Sequence, residues 1–441
     1  MENFRIKFLK NKISYCEIKK IRFDNINEVI DLYDLSELNT MVGNFEISIN
    51  ILKRISSLNP NWIDINDFIA RNYWALHDYS TARNYWKFFD ELRSDKLKKL
   101  CISNINTIDE VWTQSFGNFA KLFSVLELNE NNTQFFWHSE KDNALISNKL
   151  LHKIFSEKIK KQKPLELTEA IKHDNYISRY PFYCIKDVNN EFSHFKYSWN
   201  SKMIKLSSEN KRIKINFDFF ASYAEILKQA NFKYKNKFVV IHARESGYWN
   251  RIGNKMHSTK NSNILDYIPA IKFLISQGYQ VVRIGDKSMT KLPEIANLID
   301  YAHLDIKNDF LDIFFIRYCE FMITSTSGPN EVAGTLMTPV LAVNWFPVHA
   351  VPYSSFDLVL LKTVRNKLNG RKLSFDELYK LPYAEFSYYM LEQYGYEVIE
   401  NTSDEILYAT KKMQGKVENS HKNSFNFSKY NISSEAEIIN I

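Results

Sequence analysis

Strand-like and helix-like segments alternate between residues 238 and 344, and this order restricts the possible folds more than any other feature of the chain. The first strand, residues 238–241, has four apolar residues in a row, which is typical of a strand covered on both faces. Further strand-like runs follow at 279–286, 321–323 and 339–344, with helix-like segments between them. The alternation predicts a right-handed α/β domain built on a parallel sheet.

Polar residues follow three of these strands. Arg244 and Glu245 lie just beyond the first strand, and Gly285 and Asp286 close the second. A Thr/Ser run at 324–327 follows the third. Because the carboxyl ends of parallel strands meet at the same edge of a sheet, the three loops should converge on one crevice. Open α/β folds bind ligands at such an edge, so the sequence predicts a binding site there.

The third of these loops has the features of a phosphate site. Its Thr-Ser-Thr-Ser run leads into Gly328 and Pro329, and then into a helix-like segment. Ser327 can cap this helix, and Pro329 suits its first turn. Uncapped backbone N–H groups and roughly half a positive charge from the helix dipole would then favour a bound phosphate. An ordinary serine-capped strand–turn–helix is the alternative interpretation.

Arg244 and His242 each allow two interpretations. A guanidinium at the carboxyl edge of the sheet can bind a diphosphate through paired hydrogen bonds, but it can also form a salt bridge with a carboxylate at the rim. A lone histidine at a strand end is more often a hydrogen-bonded structural residue than a catalyst, so the structural role is the favoured one for His242.

Length and composition exclude several classes of protein. A chain of 441 residues with 45% hydrophobic and 25% charged residues has room for two or three globular domains. The net charge is +7, but lysine is spread along the chain, which argues against nucleic-acid binding and fits mild attraction to anionic ligands or membrane surfaces. The four cysteines are scattered without zinc-site spacing, which fits a reducing cytosol.

The sequence predicts neither a signal peptide nor a membrane span. Charged residues interrupt the N-terminal segment, and no run reaches the roughly 18 uncharged apolar residues that a membrane helix needs. We therefore expect a cytoplasmic protein, with any membrane contact peripheral and at the inner face of the plasma membrane.

The chain divides into four predicted regions. Residues 1–98 have helical spacing, and a stretch of small and aromatic residues around Ala82 resembles a helical-hairpin repeat, with a simple helical cap as the alternative. Residues 99–235 predict a second α/β domain, with a less regular pattern of strands and helices, and residues 236–412 hold the domain described above. The Ser/Asn/Lys-rich composition of residues 413–441 predicts disorder.

Several local elements complete the prediction. Strands are expected at 100–103 and 134–138, helices at 107–128, 150–161 and 219–230, and a hinge at 231–237, whereas residues 175–215 give no clear assignment. An aromatic stripe in the N-terminal region is expected to form core rather than a cofactor site; its members are Tyr73, Trp74, Tyr85, Trp86, Phe88 and Phe89.

These features together resemble the GT-B glycosyltransferases, in which two Rossmann-like parallel-sheet domains face a cleft. The run at 324–340 is similar to the phosphate-binding segment of heptosyltransferases and of UDP-N-acetylglucosamine 2-epimerases, and His242-Ala243-Arg244 is similar to the His-x-Arg of GDP-fucose-dependent fucosyltransferases. The motif set resembles a bacterial glycosyltransferase family of surface-polysaccharide gene clusters. It comprises Ile-His-x-Arg-Glu-x-Gly-Tyr, Ile-Leu-Asp-Tyr-x-x-Ala-Ile, Val-x-Arg-Ile-Gly-Asp, Ile-Asp-Tyr-Ala, Leu-Asp-Ile-Phe and Thr-Ser-Gly.

The resemblance implies a nucleotide-diphosphate sugar as donor and a glycan or lipid-linked acceptor, as in capsule or O-antigen synthesis. Arg244 would neutralise the departing diphosphate, and Glu331 could reach the ribose or the sugar. The other implied donor-binding residues are Ser325, Thr326, Ser327, Gly328, Gly285 and Tyr248. The chain departs from heptosyltransferases, which have a histidine where Asn330 and Glu331 stand, and from fucosyltransferases beyond Glu245, so neither heptose nor fucose is implied.

Transfer needs an acceptor hydroxyl and, in an inverting enzyme, usually a general base. The catalytic candidates beside Arg244 are Glu245, Asp286 and His242, and Asp286 could instead hold donor hydroxyls or position Arg283 or Arg244. An equally open alternative is the loop with His138, Glu140 and Asp142, although a solvated charged turn is the favoured interpretation of that trio. The loop at 248–251 could pack on a sugar. GT-B enzymes generally need no bound metal, so the resemblance predicts no metal and no cofactor.

Two other functions fit the same architecture. A nucleotide-sugar epimerase or hydrolase would need several acidic groups that face the donor sugar from both domains, and the N-terminal half shows no clear set. A non-catalytic scaffold with a degenerate fold would use residues 1–98 as its interaction module. The presence of Arg244, Asp286 and Ser327-Gly328 together argues against the scaffold.

Overall fold

The protein combines an N-terminal helical region with two parallel β-sheets. The computed structural model describes residues 4–9, 14–18, 20–99, 105–108, 110–128, 134–137, 146–160, 184–209, 211, 213, 220–233, 236–248, 254–348, 354, 356–382, 388–422 and 437–438. Within these residues the predicted α/β class, with two parallel-sheet parts as in the GT-B plan, is confirmed.

The N-terminal region is helical, as predicted for residues 1–98. Its helices are α1 Phe4–Leu9, α2 Tyr15–Ile18, α3 Val29–Met41, α4 Phe45–Leu58, α5 Ile65–Ala75 and α6 Tyr79–Lys99. Most of the aromatic stripe is core, because Trp74, Trp86 and Phe89 are buried between α5 and α6. Phe88 does not follow this prediction and is 49% exposed.

This helical region contacts two later segments of the chain, at residues 184–194 and 388–393. Arg83 of α6 forms a salt bridge with Glu191 at 2.8 Å. On another side, Leu38 of α3 packs in one buried cluster with Tyr389, and Phe45 of α4 packs with Met390. These contacts fit the helical cap better than a separate repeat module.

The first sheet has three parallel strands in the order β1-β2-β3. The strands are β1 Ile105–Ile108, β2 Gln134–Trp137 and β3 Ile159–Lys160, and the helices are α7 Glu110–Thr113, α8 Phe116–Glu127 and α9 Lys149–Phe155. The strand predicted at 134–138 is confirmed over 134–137. The helices predicted at 107–128 are confirmed from Glu110 onward, but residues 107–108 belong to strand β1. The helix predicted at 150–161 ends at Phe155, and residues 159–160 form strand β3 instead. The strand predicted at 100–103 lies outside the described residues.

A short hairpin and two helices connect the sheets, in the region that the sequence left mostly unassigned. They are β4 Cys184–Lys186, β5 Phe192–His194, α10 Phe195–Ser208 and α11 Phe220–Gln229. Helix α11 confirms the helix predicted at 219–230. After it, Phe232 is buried against Phe238 and Phe315, so this part of the predicted hinge is packed into the core.

The second sheet has seven parallel strands among the described residues, in the order β14-β11-β10-β9-β6-β7-β8. Its strands are β6 Phe238–His242, β7 Gln280–Arg283, β8 Leu298–Ile299, β9 Met322–Thr324, β10 Val340–Trp345, β11 Leu358–Leu361 and β14 Glu437–Ile438. Helices α12 Ile268–Ser276, α13 Asp309–Tyr318 and α14 Gly328–Leu336 connect its central strands.

Both faces of this sheet are covered, as the apolar run in β6 predicts. Val240 belongs to the buried cluster with α13 and α14, and its neighbours Val239 and Ile241 belong to the cluster with α12 on the opposite face. A small antiparallel pair, β12 Thr363–Asn366 and β13 Tyr396–Ile399, follows the sheet, together with α15 Phe375–Tyr379, α16 Tyr388–Gln393 and α17 Ser403–Lys422.

The predicted disorder of residues 413–441 is wrong for the first part of that segment. Helix α17 continues to Lys422, because Met413 and Val417 are fully buried against one face of the second sheet. Strand β14 then pairs with β11. In the described part of the chain, no helix is both long and apolar enough to cross a membrane.

Candidate functional site

The candidate site lies where the strand order of the second sheet reverses. From β6 the chain runs outward through β7 and β8, and it then returns to form β9 on the other side of β6. Strands β6 and β9 are neighbours, with His242 opposite Thr324 at their carboxyl ends. Ligands of open α/β sheets bind at such a reversal, because the two loops diverge there and leave a crevice.

The loop after β7 also reaches this edge, so the predicted convergence of the three loops is confirmed. Glu245 accepts hydrogen bonds from the N–H and the hydroxyl of Thr290, at 2.7 and 2.9 Å. Gly247 lies so close to Ser288 that an added Cβ would come within 2.5 Å of the Ser288 hydroxyl. On the other side of β6, the backbone N–H of Arg244 donates to the Ser325 hydroxyl at 2.9 Å.

Arg244 is held by neutral groups rather than by a carboxylate. Its Nη1 donates to the backbone carbonyl of His257 at 2.9 Å and to the side-chain oxygen of Asn261. Within the described residues no carboxylate forms a salt bridge with it, so the rim salt bridge considered for Arg244 is not found there. Partial burial lowers the pKa of Arg244 from its ordinary value, although a guanidinium remains charged at any physiological pH. The guanidinium is therefore a positive charge that is held along one edge by neutral oxygens, with no carboxylate partner among the described residues.

His242 is a buried, neutral residue at the end of β6. Burial, followed by the nearby charge of Arg283, lowers the pKa of His242 to about 3. Its Nδ1 lies 3.1 Å from the Ser327 hydroxyl. A histidine that stays neutral above pH 4 and bonds to its neighbour fits the structural role favoured from the sequence better than that of a proton shuttle.

The Ser327 contact corrects one detail of the predicted phosphate segment. Ser327 occupies the N-cap position of α14, but its side chain makes no capping hydrogen bond, because its hydroxyl is directed to His242 and Thr324 instead. Pro329 stands in the first turn, as predicted. The Ser327 side chain consequently does not cap the first backbone N–H groups of α14, and a helix N-terminus without such a cap can bind an anion.

The other hydroxyl groups of this run are used within the protein. Ser325 is buried and accepts the Arg244 N–H, and Thr326 exchanges hydrogen bonds with the backbone carbonyl and N–H of Phe346 at 3.0 and 3.2 Å. These residues shape the loop through their side chains. Any contribution of Ser325, Thr326 and Ser327 to a bound diphosphate would therefore come from the backbone.

The two carboxylates predicted at the crevice, Glu245 and Asp286, differ in how many protein groups they already bind. Glu245 binds Thr290 and lies 3.5 Å from the Arg283 guanidinium, and Asp300 holds the same guanidinium at 3.0 Å. Asp286 does not position Arg283 or Arg244; one of its oxygens instead accepts the Ser288 N–H at 2.8 Å. Asp286 is the half-buried carboxylate with the fewer protein partners, so it suits a ligand contact better than Glu245.

Gly285 and Gly117 are glycines for reasons of space. A Cβ at Gly285 would overlap the sulfur of the Met289 side chain, and the φ of Gly285, +156°, is one that residues with a side chain rarely adopt, so the turn after β7 favours a glycine. A Cβ at Gly117, near the start of α8, would lie 3.0 Å from the Gly328 Cα. The first turns of α8 and α14 thus touch, and this contact joins the first-sheet part of the protein to the candidate site.

One turn further along the contact between α8 and α14, Lys121 of α8 lies near Glu331 of α14. Burial lowers the pKa of Lys121, and the nearby Glu331 acts in the opposite direction. Its ammonium also lies 4.6 Å from the ring centre of Trp199, a cation–π distance. Glu331 therefore sits on the interface with α8, where it has a cation beside it before any donor sugar is considered.

Replacing Gly117 by alanine is expected to destabilise the protein by about 1–3 kcal/mol, because the added methyl forces the two helices apart in a tightly packed contact. Gly415 is the matched control. It lies in α17 with nothing within 4 Å of an added Cβ, so Gly415→Ala should be neutral or stabilise by up to about 1 kcal/mol. Urea unfolding of both variants measures the difference, and equal midpoints would contradict the close approach of α8 and α14.

Two residues next to Arg244 were not predicted from the sequence. Asn261 holds the guanidinium, and Lys362 donates from its ammonium to the Asn261 backbone carbonyl. Lys362 stands directly after the buried strand β11, which is the same signal that identified Arg244 after β6. Nothing local marks Asn261, because its role depends on a neighbour 17 positions away.

Some predicted groups cannot be placed. His138, Glu140, Asp142 and residues 249–253 lie outside the described residues, and Tyr248 is placed only as the end of the short 3₁₀ turn Ser246–Tyr248. Among the residues that are described, no group of three or more His, Cys, Asp or Glu side chains could hold a metal ion.

No protein-family model and no curated protein matches this chain. Solved structures that are similar to it include a glycosyl transferase family 9 protein from Veillonella parvula DSM 2008, with 12% identity, a TM-score of 0.35, and coverage of 58% of this chain and 85% of that one. The iron-containing dodecameric glycosyltransferase TibC from enterotoxigenic E. coli H10407 has 13% identity, a TM-score of 0.35, and coverage of 72% and 79%. E. coli ADP-heptose LPS heptosyltransferase II has 12% identity, a TM-score of 0.29, and coverage of 74% and 81%.

Proposed function

We propose that this protein is a glycosyltransferase. It takes a sugar from a nucleotide-diphosphate sugar and adds it to a glycan or lipid-linked acceptor in the synthesis of a bacterial surface polysaccharide such as capsule or O-antigen. The acceptor would be reached at the inner face of the plasma membrane by a cytoplasmic protein.

The observation that carries this proposal is the state of Arg244. Its guanidinium is anchored through Nη1 to two neutral oxygens, and no described carboxylate neutralises it. A charged group that is partly buried and lacks a counter-ion costs free energy unless a ligand supplies the opposite charge. The remaining guanidinium edge can bind two phosphate oxygens, and the uncapped start of α14 lies across the strand reversal from it.

This arrangement supports a reaction in which negative charge develops on a departing diphosphate. Arg244 and the N-terminus of α14 would stabilise that charge in place, without reorganising during the reaction. Ser327 and His242 would keep the loop in shape through their mutual hydrogen bond. Asp286, with one oxygen on Ser288, would hold a donor hydroxyl or receive the acceptor proton.

The proposal keeps the expectation that no metal or cofactor takes part. A guanidinium and helix N–H groups can supply the charge stabilisation that a divalent ion supplies in other transferases. Adding EDTA to a working transfer assay tests this expectation, and a loss of activity that Mg²⁺ or Mn²⁺ restores would overturn it.

A thermal-shift panel tests the donor site. UDP, GDP, CDP, dTDP, ADP and CMP are added separately to the wild type, to Arg244→Ala and to Arg365→Ala, whose arginine is exposed on β12. A ligand that binds only the native state raises its stability by about 2.7 kcal/mol at a hundredfold excess over the dissociation constant. We expect one diphosphate to shift the wild type and the Arg365 variant but not the Arg244 variant. A flat panel at millimolar ligand would count against the proposal.

Product analysis separates the two alternative functions from transfer. The wild type is incubated with the donor sugar of the base that the panel selects, without acceptor. Rapid release of nucleotide and a free or epimerised sugar would indicate the hydrolase or epimerase. Binding without turnover, even with acceptor glycans present, would indicate the scaffold.

A further inference from the structure

A buried lysine, Lys362, binds the same residue, Asn261, as the Arg244 guanidinium. Lys362 follows β11, and its side chain is only 2% exposed. Its ammonium donates to the backbone carbonyl of Asn261, whose side-chain oxygen accepts from Arg244 Nη1. Two cations thus hold the same residue, one through its backbone and the other through its side chain.

The segment that carries Asn261 is fastened on three sides. Arg244 binds it at both ends, because Nη1 donates to the His257 carbonyl and the Arg244 carbonyl accepts the Ser262 N–H at 2.8 Å. The buried Asn344 of β10 donates to the Ser262 hydroxyl at 2.7 Å. Lys362 supplies the connection to β11, so the position of the guanidinium depends on this lysine as well as on its own strand.

The charges around Lys362 do not balance. The charged groups that act on its ammonium in the described chain are Glu400, with an oxygen 3.9 Å away, and Arg244. Glu400 is shared, because it also accepts the Asn263 N–H at 2.9 Å. Burial, reinforced by Arg244 and opposed by Glu400, lowers the pKa of Lys362 to about 8. The lysine is therefore mostly charged at pH 7 and mostly neutral at pH 9.5.

We propose that Lys362 is a positioning residue of the anion site, which fixes Asn261 and through it Arg244, and whose charge strengthens the binding of a diphosphate. The proposal rests on the function proposed above. An anion bound to Arg244 would favour the protonated lysine, and the protonated lysine would favour the anion by the same factor. The pKa of Lys362 is lowered to about 8, so the lysine loses its charge as the pH rises through that value. The affinity for the diphosphate should therefore be highest below pH 8 and should fall above it.

Isothermal titration with inorganic pyrophosphate provides the test, at pH 7.0 and at pH 9.5. The proteins are the wild type, Lys362→Met, Lys362→Arg and the control Lys372→Met, whose lysine is exposed. We expect Lys362→Met to weaken binding about tenfold at pH 7.0, the order expected for losing one partly screened charge. Variants are compared at the same pH, so that ionisation of pyrophosphate itself cancels.

The pH dependence distinguishes this role from a purely structural one. At pH 9.5 the advantage of the wild type over Lys362→Met should shrink to the part that the neutral amine keeps by donating to the Asn261 carbonyl, whereas Lys362→Arg should keep its advantage at both values because arginine stays charged. The control should match the wild type throughout. An unchanged ratio between wild type and Lys362→Met at the two pH values would overturn the proposed charge effect.

Other outcomes separate this inference from the proposed function. If the wild type binds pyrophosphate, Arg244→Ala does not, and Lys362→Met binds as tightly as the wild type, the inference fails and the donor site stands. If the wild type does not bind pyrophosphate at all, both fail. Thermal unfolding of each variant without ligand checks that it is folded before it is titrated.

Discussion

Arg244→Ala is expected to abolish sugar transfer and to leave the fold intact. The substitution removes the positive charge that is held by His257 and Asn261, on a residue at the carboxyl end of β6, where we propose that the charge of a departing diphosphate develops. Removing one preorganised stabilising group from such a site typically costs a factor of about 10² to 10³ in rate. The measurement is transfer from the donor that the thermal-shift panel identifies, under saturating donor and acceptor.

Arg244→Lys separates charge from geometry in the same assay. Lysine keeps the positive charge but has no planar fork, so it cannot bind two phosphate oxygens while it also holds His257 and Asn261. We expect an activity between those of the wild type and the alanine variant. Arg365→Ala is the control, with full activity. Wild-type turnover in a stable Arg244→Ala protein would remove this arginine from the mechanism.

The sequence predicts the site to the level of its strands and loops. A buried apolar run, then a charged or Thr/Ser loop, marks the carboxyl end of a parallel strand, and this local signal was sufficient to place Arg244, Asp286 and Ser327 just beyond strand ends of the second sheet. The order of strands and helices then placed the loops at one edge. Both inferences depend only on residues close in the chain, which is why they were correct.

The contacts that decide what each group does could not be predicted in the same way. Ser327 was expected to cap its own helix, but it bonds to His242, which lies 85 positions earlier in the chain. Lys362 and Asn261 are 101 positions apart. A serine before a helix can always bond to a backbone N–H of that helix. Only the folded structure shows that the Ser327 hydroxyl bonds to His242 instead.

The C-terminal helix shows the opposite limitation. Composition predicted disorder beyond Lys412, because serine, asparagine and lysine dominate that segment. Two apolar residues at helical spacing, Met413 and Val417, are nevertheless enough to continue α17 along the second sheet. Spacing on one helix face carried more information here than the average hydrophobicity of the segment.

The largest loss of stability is expected from Arg283→Met. Arg283 is at the end of β7 with a fully buried side chain, and it binds Asp300 at 3.0 Å, the Thr290 carbonyl at 3.2 Å and, more distantly, Glu245. Removing one partner of a buried ion pair leaves the other charges without compensation and typically costs roughly 3–5 kcal/mol. Methionine fills most of the volume, so a cavity contributes little to this loss. Urea unfolding measures it.

Two further variants test whether charge is the cause. Arg365→Met breaks an exposed pair with Glu397 and should cost less than about 1 kcal/mol. In the double variant Arg283→Met/Asp300→Asn, the carboxylate left without its partner is also neutralised, so part of the lost stability should return. Asp300→Asn alone in the wild type gives the reference loss of stability. If adding Asp300→Asn to Arg283→Met lowers the stability by that same amount, the two residues do not interact. Because Glu245 links this pair to Thr290 and to the strand end that carries Arg244, we also expect Arg283→Met to reduce pyrophosphate affinity, even though the Arg283 side chain is itself fully buried.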